Sequence, residues 1–144
     1  MTIEANVALA RRFLEDAYSD GRLDLLPQLL APSYADRDAP PGYSQDRDGV
    51  RQLMQDFRTA FPDLRFTVLD SVAQEDRVVL RYVVTGTHRG TFMGMPPSGR
   101  SFKINGISEY RVADGKLQEA WVQYDALGML RQLGALPDPT AAPA

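Results

Sequence analysis

Few residues in this sequence are suited to chemistry. His88, the single histidine, lies in "GTHRG". One imidazole can exchange a proton near neutrality, but it cannot hold a metal without three further ligands, and no spacing in the chain supplies them. Asp125 stands between a stretch that reads as a strand, Leu117 to Tyr124, and an apolar stretch that reads as a short helix, Ala126 to Leu133. An aspartate at such a junction has two uses. As an N-cap, its carboxylate accepts a backbone N–H of the first helical turn. As an acid/base group it needs an apolar wall, here Trp121 and Phe57, to raise its pKa from roughly 4 toward neutrality. The two uses oppose each other, because backbone donors and the helix dipole favour the charged form.

Composition limits the context in which such groups could work. A chain of 144 residues with a net charge of −3 has room for one core and carries no basic footprint for nucleic acid or an anionic membrane. Cysteine is absent, which excludes disulfides and thiolate catalysis and fits a reducing compartment. The opening "MTIEANVALARRFLEDAY" mixes charge through its apolar positions, so neither a signal peptide nor a membrane span is expected, and the cytoplasm is the default location. The expectation is a single domain over 1–136 and a flexible Pro/Ala tail over 137–144.

The elements that must position these residues follow from periodicity. Val7, Ala10, Phe13, Leu14 and Ala17 recur at helical spacing until "SDG", where Gly21 can adopt the left-handed conformation that closes a helix. A shorter helix covers "LDLLPQLL". A third opens after Asp48, aligns Val50, Leu53, Met54, Phe57 and Phe61 on one face, and ends at Pro62. From Leu64 the period becomes two, and strands are expected at about 64–74, 77–88, 101–113 and 117–124. Helices followed by strands predict an α+β fold.

The turn at "ADGK" decides which residues share a face with Asp125. A two-residue loop at Asp114 and Gly115 sets Trp121 opposite Ser108 and Asp125 opposite Ile104. A three-residue loop with a bulge sets Trp121 opposite Ile107 and Gln123 opposite Asn105. We adopt the bulged register, which sorts the chemistry better. It puts Asn105, Ile107, Glu109, Trp121, Gln123 and Asp125 on one face, taken as the pocket side. Ile104, Gly106, Ser108, Tyr110, Val112, Ala120, Val122 and Tyr124 then share the other face. One flaw is that Glu109 would oppose Glu119.

"AFPDLRF", "GTHRGTFMGMPPSGR", "ADGKLQEAW" and "DALGMLRQLG", in this order and spacing, resemble the SnoaL-like polyketide cyclase and ester cyclase family over residues 5 to 136. The resemblance implies a cone-shaped α+β barrel, three N-terminal helices packed on a strongly curved, mainly antiparallel sheet, with a deep pocket inside. It implies that Asp125 is the general acid/base of an intramolecular aldol ring closure needing no metal or organic cofactor, and that His88 can line the pocket. Met54, Phe57, Phe61 and Met93 are core by default and pocket lining if the pocket exists, beside Asn105, Ile107, Glu109, Trp121 and Gln123. Many relatives carry a histidine where this chain has Arg37.

The fold alone does not give the reaction. Epoxide hydrolysis or isomerisation on the same fold is one alternative, with only Asp125, Glu109 and Arg81 to serve it. A non-catalytic, dimeric small-molecule-binding domain is another. The expected substrate is small, apolar or polycyclic. A homodimer is expected through the sheet face bearing Tyr110, Val112, Val122 and Tyr124, because three helices cannot cover both faces of one sheet.

Overall fold

The computed structural model describes residues 2–137; the expected tail, beyond Pro137, lies outside the described residues. Helix α1 (Ile3–Arg12) is capped by Thr2, whose hydroxyl accepts from Ala5 N, and continues into a π-helical turn over Phe13–Tyr18. The chain reverses at Gly21, where φ is +69°. A 3₁₀ turn (Leu23–Leu25) then leads into the short α2 (Leu26–Leu29).

Strand β1 (Leu30–Asp36) follows at once, where sequence periodicity gave no strand. Pro32 lies within it, which is tolerable because β1 is an edge strand with one neighbour. Helix α3 (Arg47–Ala60) begins two residues earlier than expected, because Asp46 and not Asp48 caps it by accepting from Gly49 N. Four strands complete the sheet: β2 (Arg65–Gln74), β3 (Arg77–Thr87), β4 (Ser101–Ala113) and β5 (Lys116–Tyr124). Helix α4 (Ala126–Gln132) ends the described chain.

The sheet order is β1-β5-β4-β3-β2, with β1 parallel to β5 and every other pair antiparallel. Register shifts interrupt three of the four pairings, and each extra residue bends its strand and sharpens the sheet's curvature. The helices fill the concave side, so the expected curved α+β architecture is the observed one. No helix among the described residues is long and apolar enough to cross a membrane.

The β4–β5 register differs from both expected forms. Asp114 and Gly115 make a two-residue turn with positive φ at both positions, pairing Ala113 with Lys116. A bulge then falls on β5 at Gln118, so Arg111 pairs with Glu119, Glu109 with Trp121 and Ile107 with Gln123. The division of residues between faces is the one the bulged register assigned, but the expected Glu109–Glu119 repulsion does not arise. Glu119 instead takes Arg111 and Arg37, both at 2.8 Å, while Arg77 bonds Glu109 at 3.0 Å and lies over the Trp121 ring at 5.1 Å.

Candidate functional site

The parity of the sheet faces is as expected; their sides are reversed. Along β4, Phe102, Ile104, Gly106, Ser108, Tyr110 and Val112 are buried beneath the helices, whereas Lys103, Asn105 and Ile107 are exposed and Glu109 is half-buried. The concave face is therefore the tyrosine-bearing one. It encloses a cavity of about 80 Å³ whose walls come from every layer of the fold. The π turn contributes Phe13, Leu14 and Tyr18, α3 contributes Val50, Leu53 and Phe57, and the strands contribute Tyr82, Ser108, Tyr110, Val122 and Tyr124. These walls are mostly apolar with a few polar anchors, the usual composition of a small-molecule site.

The polar anchors are phenols, one hydroxyl and one buried carboxylate. Tyr82 Oη and Ser108 Oγ lie 2.7 Å apart at the cavity wall. Gly106, on the same face of β4, makes room for the Tyr82 ring, since a Cβ there would sit 2.5 Å from its Cε2 atom. Burial pushes the Tyr82 phenol up to about 12 and raises Tyr18, Tyr34, Tyr110 and Tyr124 as well. All five therefore stay protonated at neutral pH and can donate hydrogen bonds.

Asp36, the last residue of β1, is the carboxylate. Its residue is 8% exposed, and it borders the cavity. Its Oδ1 accepts from Asp38 N at 2.9 Å, and its backbone N–H donates to Gln45 O. Desolvation raises its pKa above the ordinary carboxylate value; the Asp38 N–H opposes that, and the Asp38 charge adds to it. Asp38 also borders the cavity, but it is more exposed, and it accepts from Val122 N at 2.7 Å.

Asp125 is not on the cavity wall. It caps α4, with Oδ1 accepting from Gly128 N at 2.8 Å, and its side chain is exposed. Gly128 is fitted to that cap, because a Cβ there would meet the carboxylate at 2.2 Å. The N-cap is thus the local geometry realised by "DALG". Its neighbour in sequence, Tyr124, does line the cavity.

A helix-roofed curved sheet around a tyrosine-lined cavity is an architecture that comparison with known proteins identifies. The family model for SnoaL-like polyketide cyclase matches residues 8–133. The chain belongs to this family. Among characterised relatives, the aklanonic acid methyl ester cyclase DauD of Streptomyces sp. (strain C5) is 30% identical over 93% of this chain and 84% of its own length. The nogalonic acid methyl ester cyclase of Streptomyces nogalater is 30% identical over 82% of this chain and 90% of its own. Among solved structures, TsrD from Streptomyces laurentii superposes with a TM-score of 0.85 at 31% identity, covering 94% of this chain and 99% of that one.

Within this SnoaL-like fold the remaining expected site residues disperse. Phe57 lines the cavity. Asn105, Ile107, Glu109 and Trp121 lie on the convex face, because they alternate with the buried set. Gln123 shares that face and, with Met93, Phe92, Ala126 and Leu130, edges an outer groove that shares Asp38, Pro40, Val122, Tyr124 and Met129 with the cavity. Phe61 and Met54 are core residues outside the cavity.

His88 is 1% exposed, packed on Phe61, and likewise outside the cavity. Its Nδ1 accepts from Ser98 N at 3.2 Å, and its backbone bonds Arg100 O and Gly99 N, so it pins both ends of the 89–99 excursion. Arg37 is tied to Glu119 away from the cavity. The patch expected to form a dimer, Tyr110, Val112, Val122 and Tyr124, belongs to the concave side: Tyr110 and Val112 are buried in the core, and Val122 and Tyr124 line the cavity.

Sequence reasoning missed Asp36, Tyr18, Tyr34, Tyr82 and Ser108. The signal that could have found Asp36 is Tyr34 two residues before it, on the same face of a short strand.

Proposed function

We propose that this chain is a cofactor-independent cyclase that closes a ring in a polyketide-derived ester by intramolecular carbon–carbon bond formation. The observation that carries this reading is the cavity itself: an apolar chamber with protonated phenols and a single buried carboxylate, in a family whose named relatives are ester cyclases. The chemistry asks little of a protein beyond this. A proton between two carbonyls is already acidic, so a carboxylate suffices to remove it. Phenol and hydroxyl donors such as Tyr82 and Ser108 can stabilise the enolate and alkoxide oxygens that form.

Size supports an elongated substrate. A chamber of about 80 Å³ cannot hold a whole tetracycle, but it shares five walls with the outer groove. In this reading the end that reacts enters the chamber, and the remaining rings lie in the groove between Pro40, Met93 and Leu130. The epoxide-hydrolase alternative loses support, because Glu109 and Arg81 do not line the chamber.

The test is direct. Purified protein incubated with aklanonic acid methyl ester or nogalonic acid methyl ester is expected to give a cyclised isomer of unchanged mass and new retention time. Binding without isomerisation would leave the small-molecule-binding alternative in its place.

A homodimer is part of the same reading, with its interface on the other sheet face from the one first expected. Val72, Val79, Glu109 and Trp121 are cross-strand neighbours on the convex side, beside Ile107 at 48% exposure. Light scattering at micromolar concentration should give twice the chain mass, and Ile107→Lys should lower it.

A further inference from the structure

We infer that Asp36 is the group that moves the proton in this cavity, in place of the helix-capping Asp125. The inference rests on the cyclase reading above for the identity of the reacting carbon. Three geometric facts carry it. Asp36 borders the cavity, whereas Asp125 does not. Its Oδ1 holds Asp38 N, which fixes the carboxylate at the end of β1. Its Oδ2 has no protein donor among the described residues, which leaves one carboxylate oxygen free to take a proton.

The surroundings favour a working base. The groups facing Asp36 are Tyr18 from the π turn, Tyr34 from its own strand, Tyr82 from β3, Tyr110 from β4, Tyr124 from β5, and the neighbouring Asp38 carboxylate. None is a cation. Among the described residues no ion pair holds Asp36 in its charged form, in contrast to Glu119 between Arg37 and Arg111.

The step balances without any co-reactant. The Asp36 carboxylate takes the proton from a carbon flanked by two carbonyls, and the C–H electron pair passes into the enolate. The enolate carbon attacks a ketone carbon of the same molecule, forming one C–C bond and turning the ketone C=O into an alkoxide. The alkoxide then takes the proton back from Asp36. Substrate and product are isomers, and Asp36 ends in its starting state. The phenols border the same cavity as Asp36 and can donate to enolate and alkoxide oxygens.

The experiment separates this inference from the reaction it rests on. An aryl β-keto ester is incubated in D₂O with the full-length protein, and exchange at its acidic carbon is followed by proton NMR. Ring closure of aklanonic acid methyl ester is measured in parallel. Wild-type protein should accelerate exchange over buffer. Asp36→Asn should lower that rate by about 10²–10⁴-fold, with a thermal midpoint no lower than wild type. Asp36→Glu should recover part of the rate. The wild-type rate should rise with pH through an ionisation above the usual carboxylate range, and Asp36→Asn should lose that rise. Exchange without ring closure would remove the cyclase reading and leave the role of Asp36 standing. No acceleration by wild type, an Asp36→Asn rate within tenfold of wild type, or loss of exchange in Asp125→Asn alone would overturn it.

Discussion

The concave and convex faces of β4 and β5 are built from alternate residues of the same two strands, yet they do opposite things. The concave row, with Ser108, Tyr110, Val122 and Tyr124, packs under the helices around the cavity and contains no charged side chain. On the convex row Glu119 is paired with Arg111 and with Arg37 beyond β1, and Glu109 is paired with Arg77 of β3, which also lies over the Trp121 ring. Two aspartates repeat the contrast. Asp36 is taken out of water with no cation beside it, and Asp125 sits in water with a helix to cap. The same side chain becomes a proton carrier or a structural cap according to what surrounds it.

That contrast can be broken most sharply by charge. Tyr110→Glu puts an unpaired carboxylate in the interior and should destabilise by about 3 kcal/mol or more in urea unfolding. Ile107→Glu, three positions away on the other face, should change monomer stability by less than about 0.5 kcal/mol. Equal effects would mean that the faces have been assigned wrongly.

A smaller effect is expected from Gly106→Ala. The new Cβ must displace the Tyr82 ring and its bond to Ser108, costing about 1–3 kcal/mol as overpacking. Ring-closure activity should fall with it, because Tyr82 borders the cavity.

For the two aspartates, Asp125→Ala should cost about 1 kcal/mol through the lost cap, and Asp125→Asn much less, since asparagine also caps. Asp36→Asn should act in the other direction. The folded state raises the Asp36 pKa above 3.8, so its protonated form is favoured there. Wild-type stability is then fullest below the unfolded value and declines as pH rises through the raised one. Asparagine escapes that decline, and the thermal midpoint of Asp36→Asn should exceed wild type by more at pH 8 than at pH 4. A gain independent of pH would mean that Asp36 is not held against its charge.

Much of this molecule is local and could be read in one dimension. Helix α3 is legible because its apolar residues recur at helical spacing between a capping aspartate and Pro62. The four strands from residue 65 onward are legible because their side chains alternate, whereas the turn between β4 and β5, expected as a three-residue loop, is the two-residue Asp114-Gly115 turn. Alternation also sorts β4 and β5 each into two rows, the bulge at Gln118 joining the Trp121 row to the Glu109 row. It does not say which row faces inward, because tyrosine, tryptophan, valine and isoleucine occur in both and each can lie buried or half-exposed. Only the docking of the helices against the sheet, and the direction in which the bulges curve it, chose the tyrosine row. β1 was hidden for a related reason: it is a short edge strand interrupted by Pro32, held by pairing with a strand more than eighty positions away. With β1 went Asp36, whose chemistry depends wholly on that pairing. The sequence by itself determined the helices, the four strands after residue 64 and the alternation within each, but neither β1 nor the register across the turn. Tertiary packing decided which carboxylate lost its water, since desolvation is a property of everything that surrounds a group and not of its neighbours in the chain.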